Sequence, residues 1–266
     1  MPSSDQEYLL NSQYRDASNL NARIELHRRF STNKYSFNRW VVDHFNIPRP
    51  ARILEAGCGP GHLWAQNADR LPEDWDITLS DFSPGMLQEA QKNLRNANGH
   101  FTFELFDVQS IPFEDRHFDA VIANHMLYHV PDRARALSEI RRVLKPGGRF
   151  YAVTNGENHM REMPELVKKF DPGAEDTQGI AFSLPFRLEN GGQELAQWFS
   201  TVTLHLYEDG LIVTEAGPLV AYMLSMPTGV VTIGDKVPEF TRFLEGELAA
   251  HGAIHITKDT GIFEAF

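Results

Sequence analysis

Short apolar runs alternate with amphipathic stretches through the middle of the chain, and this alternation predicts an α/β fold. Apolar runs of five or six residues begin at positions 51, 76, 101, 118 and 149, as expected for strands buried on both faces. The stretches between several of them carry apolar residues at helical spacing. Strands separated by helices of about ten residues predict βαβ units with right-handed crossovers and a parallel sheet.

Two less regular segments flank this core. Residues 16–45 show helical spacing with one interruption, and prolines follow at 48 and 50. Beyond residue 154 the pattern predicts a strand at 201–207 and helices at 215–226 and 238–250. A final hairpin is expected from 253–257 and 262–266, turning at 259–261.

We therefore expect a Rossmann-like, seven-stranded, mostly parallel sheet with an antiparallel last strand, N-terminal helices and a helical lid inserted late in the sheet. Three parts follow from this pattern. Residues 1–50 form an N-terminal helical cap, and residues 51–155 form the ligand-binding core. Residues 156–266 contain the lid helices, which bind the substrate, and the last two strands of the same sheet.

Composition narrows the class of protein. The 266 residues are 42% hydrophobic and 11% aromatic, which is typical of a globular chain. The single cysteine, Cys58, excludes a disulfide within the chain and any cluster of cysteine metal ligands. No signal-peptide pattern and no run of 18 apolar residues occurs, so we expect a cytoplasmic protein without a membrane partner.

The net charge of −11 is concentrated in the last third of the chain. Residues 155–266 hold seven basic and seventeen acidic side chains, whereas residues 51–154 hold eleven and fourteen. This balance argues against a nucleic-acid partner. It also favours a cationic or neutral small-molecule substrate over one that bears a phosphate.

The strongest chemical signal is the glycine loop that follows the first predicted strand. Gly57, Gly59 and Gly61 have the spacing Gly-x-Gly-x-Gly, which differs from the Gly-x-Gly-x-x-Gly of dinucleotide sites. Glu55 places a carboxylate where a pyrophosphate would require neutral or positive charge. A ligand with an ammonium and a sulfonium suits this loop better, and S-adenosylmethionine is such a ligand.

The ordered motifs of residues 50–155 resemble those of class I S-adenosylmethionine-dependent methyltransferases. The resemblance is to the branch of the ubiquinone/menaquinone-biosynthesis and small-molecule methyltransferases, the type 11 methyltransferases. The motifs are Leu54-Glu55-Ala56-Gly57-Cys58-Gly59-Pro60-Gly61, Leu79-Ser80-Asp81-Phe82-Ser83-Pro84-Gly85-Met86, Phe106-Asp107-Val108, Phe118-Asp119-Ala120-Val121 and Val143-Leu144-Lys145-Pro146-Gly147-Gly148.

The resemblance implies a set of cofactor contacts. The glycine loop would pass along the methionine and ribose, with Glu55 near the ammonium, and Asp81 would accept both ribose hydroxyls. Phe82 and Met86 would enclose the adenine, Asp107 would accept from its amino group, and the Val108 N–H would donate to a ring nitrogen. Asn124 would offer a carbonyl to the ammonium. Each role has a structural alternative, such as a core residue or a strand-end cap.

Candidate catalytic residues follow the fourth strand and lie in the leader. His125 or His129 could serve as a general base if the nucleophile must lose a proton. Tyr14 could touch the cofactor and the reacting methyl group from the N-terminal helix, where Arg23 and His27 also lie. No group of side chains has convincing metal-ligand spacing, so no metal is expected.

The predicted function is methyl transfer from S-adenosylmethionine to a small, partly apolar metabolite, with an oxygen, nitrogen or carbon acceptor left open. Two alternatives remain at this point: a nicotinamide-dependent oxidoreductase and a non-catalytic S-adenosylmethionine-binding module. Six apolar side chains of the last third are expected to line the substrate pocket: Phe182, Phe186, Trp198, Tyr222, Met223 and Met226. His159 and Arg161 are the expected polar contacts.

Overall fold

A computed structural model describes residues 18–174 and 185–266 of the chain. Helices are numbered α1–α10 and strands β1–β9 in chain order. The elements are α1 (Ser18–Phe30), α2 (Phe37–Asp43), β1 (Ala51–Ala56), α3 (His62–Ala65), β2 (Trp75–Asp81), α4 (Pro84–Leu94), β3 (His100–Leu105), β4 (Phe118–Asn124), α5 (Arg133–Val143), β5 (Leu144–Asn155), α6 (Glu162–Phe170), α7 (Leu188–Leu195), β6 (Val202–Leu206), β7 (Gly210–Val213), α8 (Ala216–Leu224), α9 (Pro227–Ile233), α10 (Val237–His251), β8 (Ile254–Thr257) and β9 (Thr260–Ala265).

The main sheet has seven strands in the order β3-β2-β1-β4-β5-β9-β6. Strands β1 to β5 pair in parallel, and β9 is antiparallel to both of its neighbours. The strand order reverses between β1 and β4. In open α/β sheets ligands bind at the carboxyl ends of the strands beside such a reversal, so this topology positions the site. The predicted Rossmann-like sheet is confirmed.

Helix caps explain where two of the core helices begin. The Ser83 side chain accepts from the Met86 N–H at 3.3 Å, and Pro84 occupies the first turn of α4. The Asp132 side chain caps α5 by accepting from the Arg135 N–H at 3.0 Å.

The predicted C-terminal hairpin is wrong. Strand β8 does not pair with β9; it pairs antiparallel with β7 in a separate two-stranded sheet, in which Ile254 lies opposite Val213. The sequence interpretation had no strand at β7. Strand β7 has only four residues, of which Leu211 and Val213 are buried on one face. So short an alternation is hard to distinguish from a loop in the sequence, and the pairing of the strand is decided by tertiary packing.

Apolar side chains fill three regions. Two cover the faces of the main sheet, and the third lies between α1, α6, α8, α10 and the two-stranded sheet. Leu26 and Phe30 of α1 are buried in this third region, so the N-terminal helix packs with the C-terminal lid. We refer to these packed elements as the lid. They cover the carboxyl ends of the main strands, where the candidate site lies.

None of the described helices is by itself both long enough and apolar enough to cross a bilayer. Ala216–Leu224 and Gly229–His251 meet the length and composition requirement only as a pair, bent by 113°.

Candidate active site

One cavity of about 740 Å³ lies between the carboxyl ends of the main strands and the lid. Its floor is formed by the loops that follow β1, β2, β3 and β4. Its roof includes α1 and one side chain of α8. We call the part along the first three loops the cofactor half and the part beneath the lid the acceptor half.

The glycine loop lies on the floor of the cofactor half. Gly57, Gly59 and Gly61 all have left-handed backbones, with φ of +68°, +53° and +72°. Residues with side chains rarely adopt this conformation. A Cβ on Gly57 would lie 2.8 Å from the Cβ of Met126, whereas a Cβ on Gly59 would meet no atom within 4 Å. The loop therefore needs glycine for its shape, and at Gly59 the backbone faces open space.

Glu55 lies at the end of β1 and is 1% exposed. Its carboxylate accepts from the Trp64 indole N–H at 2.7 Å. Burial raises the pKa of Glu55 to about 8, because ionisation within the protein loses hydration. The indole partner was not foreseen, since nothing in the sequence marks Trp64 as more than a core residue.

Asp81 ends β2 and supports the glycine loop directly. Its carboxylate accepts from the Gly59 N–H at 2.9 Å and from the Ser83 N–H at 2.8 Å. Burial raises the pKa of Asp81 to about 6, so the group is ionised at neutral pH. Phe82 and Met86 line the same side of the cavity.

Asp107 and Val108 follow β3 and also line the cofactor half. The Asp107 carboxylate accepts from the Gln109 backbone N–H at 2.9 Å and from its side-chain amide at 2.8 Å. These contacts hold the loop in one conformation. Asp107 therefore combines the strand-end cap considered from the sequence with a position on the cavity wall.

Asn124, His125 and His129 come after β4 and line the cavity. The Asn124 Oδ1 is buried and has no hydrogen-bond partner among the described residues. His125 has a left-handed backbone with φ of +56°, which is uncommon for a residue with a side chain. Burial, followed by the nearby Lys258 ammonium, lowers the pKa of His125 to about 4.

Some residues expected at the site lie elsewhere in the structure, and two others are outside the described residues. Tyr14 and Phe182 lie outside the described residues. Of the other aromatic and Met side chains expected to line the pocket, only Tyr222 does so. Phe186 and Trp198 pack in or against the core on one face of the sheet, and Met223 and Met226 pack within the lid. These four side chains therefore serve core packing in two different regions and do not line the cavity.

The acceptor half contains polar side chains from distant parts of the chain. His27 of α1 and His159, which follows β5, have ring centroids 6.3 Å apart, and Tyr222 lies edge-on to His27 at 5.7 Å. Arg161, the other polar contact expected after β5, is exposed and does not line the cavity.

Lys258, in the loop between β8 and β9, also lines the cavity. It forms an ion pair with Asp209, whose side chain is fully buried. Burial lowers the pKa of Lys258, and the carboxylate partner partly opposes this. Sequence reasoning missed this pair because its members are 49 residues apart and neither lies in a motif.

Known proteins are similar to part of this chain in sequence and to more of it in fold. Residues 54–152 match the family model of the methyltransferase domain. The ubiquinone/menaquinone biosynthesis C-methyltransferase UbiE of Proteus mirabilis is 30% identical over 119 residues, which cover 44% of this chain and 47% of the relative. Its counterpart in Erwinia tasmaniensis is 30% identical over 137 residues, covering 51% and 53%. The chain thus spans about half the length of the curated relatives it matches.

Solved structures match over more of the chain at lower identity. Phosphoethanolamine N-methyltransferase 2 of Haemonchus contortus, in complex with phosphomonomethylethanolamine and S-adenosylhomocysteine, aligns with a TM-score of 0.60 at 19% identity, covering 100% of this chain and 60% of that one. A protein of Bacillus halodurans C-125 aligns with a TM-score of 0.56 at 14% identity, covering 86% and 97%. At these identities the matches show the fold.

Proposed function

We propose that the protein methylates a small, partly apolar metabolite. The premise is that residues 54–152 form a class I S-adenosylmethionine-dependent methyltransferase domain. The observation that carries this proposal is the cavity itself. It runs without interruption from the glycine loop to the acceptor half beneath the lid. A protein that only bound the cofactor would have no need of that second half.

The residues of the cofactor half fit S-adenosylmethionine. The Glu55 carboxyl and the Asn124 Oδ1, a buried acceptor with no partner among the described residues, suit an ammonium group. Gly59 lets a ligand approach the backbone, because the space beside it is open. Asp81 accepts from backbone N–H groups that include those of Gly59 and Ser83. A carboxylate has about four lone-pair sites, and Asp81 is proposed to hold the ribose hydroxyls with those that remain.

Further along the cofactor half, Phe82 and Met86 are proposed to enclose the adenine, with Asp107 and Val108 at its polar edge. Gly57 and Gly61 are proposed to shape the loop. When bound, S-adenosylmethionine supplies an electrophilic methyl group and a neutral leaving group. The contribution of the protein is then alignment of the acceptor, which is worth up to about 7–11 kcal/mol in favourable cases.

His125 and His129 remain the proposed proton acceptors for a nucleophile that must be deprotonated. A pKa near 4 keeps His125 neutral at pH 7, so its ring can accept a proton, but it is a weak base. The site is thus better suited to an acceptor that loses its proton easily than to an alcohol. Tyr14 remains a proposed contact to the cofactor and its methyl group.

The direct test is calorimetric titration with S-adenosylhomocysteine, comparing the wild type with Asp81→Asn. Losing hydrogen bonds to a charged group costs about 1.5–3 kcal/mol, or roughly 10- to 100-fold in Kd. Asp76→Asn is the matched control, because Asp76 lies on the same strand but is exposed. An unchanged Kd for Asp81→Asn contradicts the ribose contact.

Absence of binding in the wild type contradicts the proposed function as a whole. A parallel titration with NADH tests the oxidoreductase alternative. Release of S-adenosylhomocysteine during incubation with a metabolite library separates an enzyme from a non-catalytic binding module.

A further inference from the structure

The charged groups around the cavity are divided by sign. Among the described lining residues, the carboxylates all belong to the cofactor half; they are those of Glu55, Asp81 and Asp107. The acceptor half is lined by Arg23, Arg28, Lys34 and Lys258, together with four histidines. No carboxylate among the described residues lines that half. The sequence expectation of a cationic or neutral substrate, drawn from the acidic last third, therefore does not hold for the cavity wall.

His27 is the most direct indication of a ligand in the acceptor half. The residue is half-buried and lines the cavity. Burial, followed by the charge of Lys258, lowers the pKa of His27 to about 3. The Nδ1 atom is buried without a hydrogen-bond partner among the described residues. Leaving a buried polar atom unsatisfied is unfavourable, and a bound polar group would satisfy this atom.

His159 has a defined donor. Its Nδ1 accepts from the Asp259 backbone N–H at 3.2 Å. Burial and the neighbouring His27 hold its pKa well below the usual value, so the ring is neutral. A neutral imidazole whose Nδ1 accepts carries its proton on Nε2. His159 thus brings an N–H donor to the wall of the acceptor half.

Lys258 adds a fixed positive charge. Its ammonium is held by Asp209, which also accepts from the Ser31 hydroxyl and the Asn33 backbone N–H. These bonds hold the carboxylate in place, and Lys258 lines the cavity whereas Asp209 does not. The Lys258 charge acts on both histidines, and at His27 the Asp209 carboxylate partly offsets it.

We propose that the acceptor half binds a substrate that carries an acidic oxygen, a carboxylate or a phenolate, held between His27, His159 and Lys258. This inference rests on the proposed function and names the substrate class of the same site. An anion there would accept from the His159 Nε2–H, bond to the His27 Nδ1 as a donor, and pair with the ammonium. Donors to a charged acceptor form stronger bonds than neutral pairs.

The test uses probes of equal size and different charge: benzoate, benzamide and benzylamine. Their affinities are measured by calorimetry on the full chain, with and without saturating S-adenosylhomocysteine. We expect benzoate to bind at least tenfold tighter than the other two. Equal affinities, a preference for benzylamine, or no benzoate binding at millimolar concentration overturns the proposal.

A variant separates recognition from folding. His27→Leu removes the ring nitrogens at similar volume and should abolish the preference for benzoate. It should also keep or raise thermal stability, because it deletes an unsatisfied buried atom. His251→Leu is the matched control at an exposed position and should retain the preference. Retention of the preference in His27→Leu contradicts the role of His27.

Two further arms distinguish the remaining outcomes. 4-Nitrophenol reports its own ionisation by colour, so an increase in phenolate absorbance on binding identifies phenolates as guests. Benzoate binding without this change restricts the class to carboxylates. If S-adenosylhomocysteine fails to bind, the proposed function fails, while the ranking of probes on the cofactor-free protein still decides the anion preference.

Discussion

Replacing Glu55 by glutamine should raise the stability of the cofactor-free protein while weakening its binding of the cofactor. The two effects have one origin. The Glu55 carboxyl is buried, and among the described residues it accepts from the neutral indole N–H of Trp64. No cation among the described residues is paired with this carboxyl in the cofactor-free protein. In the complex, the ammonium of the ligand would compensate for burial of the negative charge.

The magnitude follows from the pKa of Glu55, which burial raises from 4.5 to about 8. Ionisation in the folded protein therefore costs about 5 kcal/mol more than in the unfolded chain. Between these two pKa values the folded state binds more protons than the unfolded state, so the free energy of unfolding falls as pH rises. The contribution of Glu55 to the free energy of unfolding is fully present below pH 4.5, and about 3 kcal/mol of it is lost by pH 7.

Glu55→Gln has no such titration and keeps an oxygen for the Trp64 indole. Urea unfolding followed by circular dichroism should show the variant gaining stability relative to the wild type as pH rises from 5 to 8. The gain across this range should be about 3 kcal/mol. Asp81, whose pKa burial raises to about 6, is present in both proteins. Its charge interacts with Glu55, so only part of its titration is common to the wild type and the variant.

Calorimetry in buffers of different ionisation enthalpy provides the second measurement. At pH 7, binding of S-adenosylhomocysteine to the wild type should release about one proton, since the ammonium stabilises the ionised carboxylate. Glu55→Gln should release none and bind roughly tenfold more weakly or worse. A stability difference that is the same at every pH, or proton release that persists in the variant, refutes the reasoning.

Three further outcomes are expected. Gly59→Ala should lower stability by only about 1–2 kcal/mol, because alanine adopts a left-handed backbone less easily than glycine. It should nevertheless weaken S-adenosylhomocysteine binding, because its Cβ enters open space in the cofactor half. Gly57→Ala should lose more stability in urea unfolding, because its Cβ would lie 2.8 Å from that of Met126; equal losses for the two variants would contradict this assignment. Asp209→Asn should lower the free energy of unfolding by about 3–5 kcal/mol, because it leaves the buried Lys258 without its charge partner. Adding Lys258→Met should restore much of this loss in urea unfolding. A double variant no more stable than the single one would show that the ion pair is not the cause.

The parallel core, and the positions of the strand-end loops that line the cavity, could be predicted from the sequence. Strands β1 and β4 are mostly buried and rich in apolar residues, and Ser83 and Asp132 mark helix starts. The glycine loop was recognisable because its backbone conformation allows few other residues. All these features depend on neighbours within a few positions along the chain.

Only part of the acceptor half could be predicted in this way: His159 and Tyr222 were expected to line the pocket and do so, whereas Lys258 was not foreseen. His27, His159 and Lys258 come from α1, the segment after β5 and the β8–β9 loop, and no motif links them. The strand β7 was missed for the same reason, since its partner β8 is about 45 residues away in the chain.

By itself, then, the sequence determined the strand–helix alternation, the glycine loop and the carboxylates at the strand ends. These are local properties, set by side-chain periodicity and by backbone conformation over short stretches. Only the tertiary structure decided which distant side chains share the acceptor half and what charge they present there. The last third of the chain is acidic on average, yet it contributes Lys258 to a cavity wall that also holds Arg23. A net charge counts every residue of a segment equally, whereas a ligand meets only the side chains that folding turns toward it.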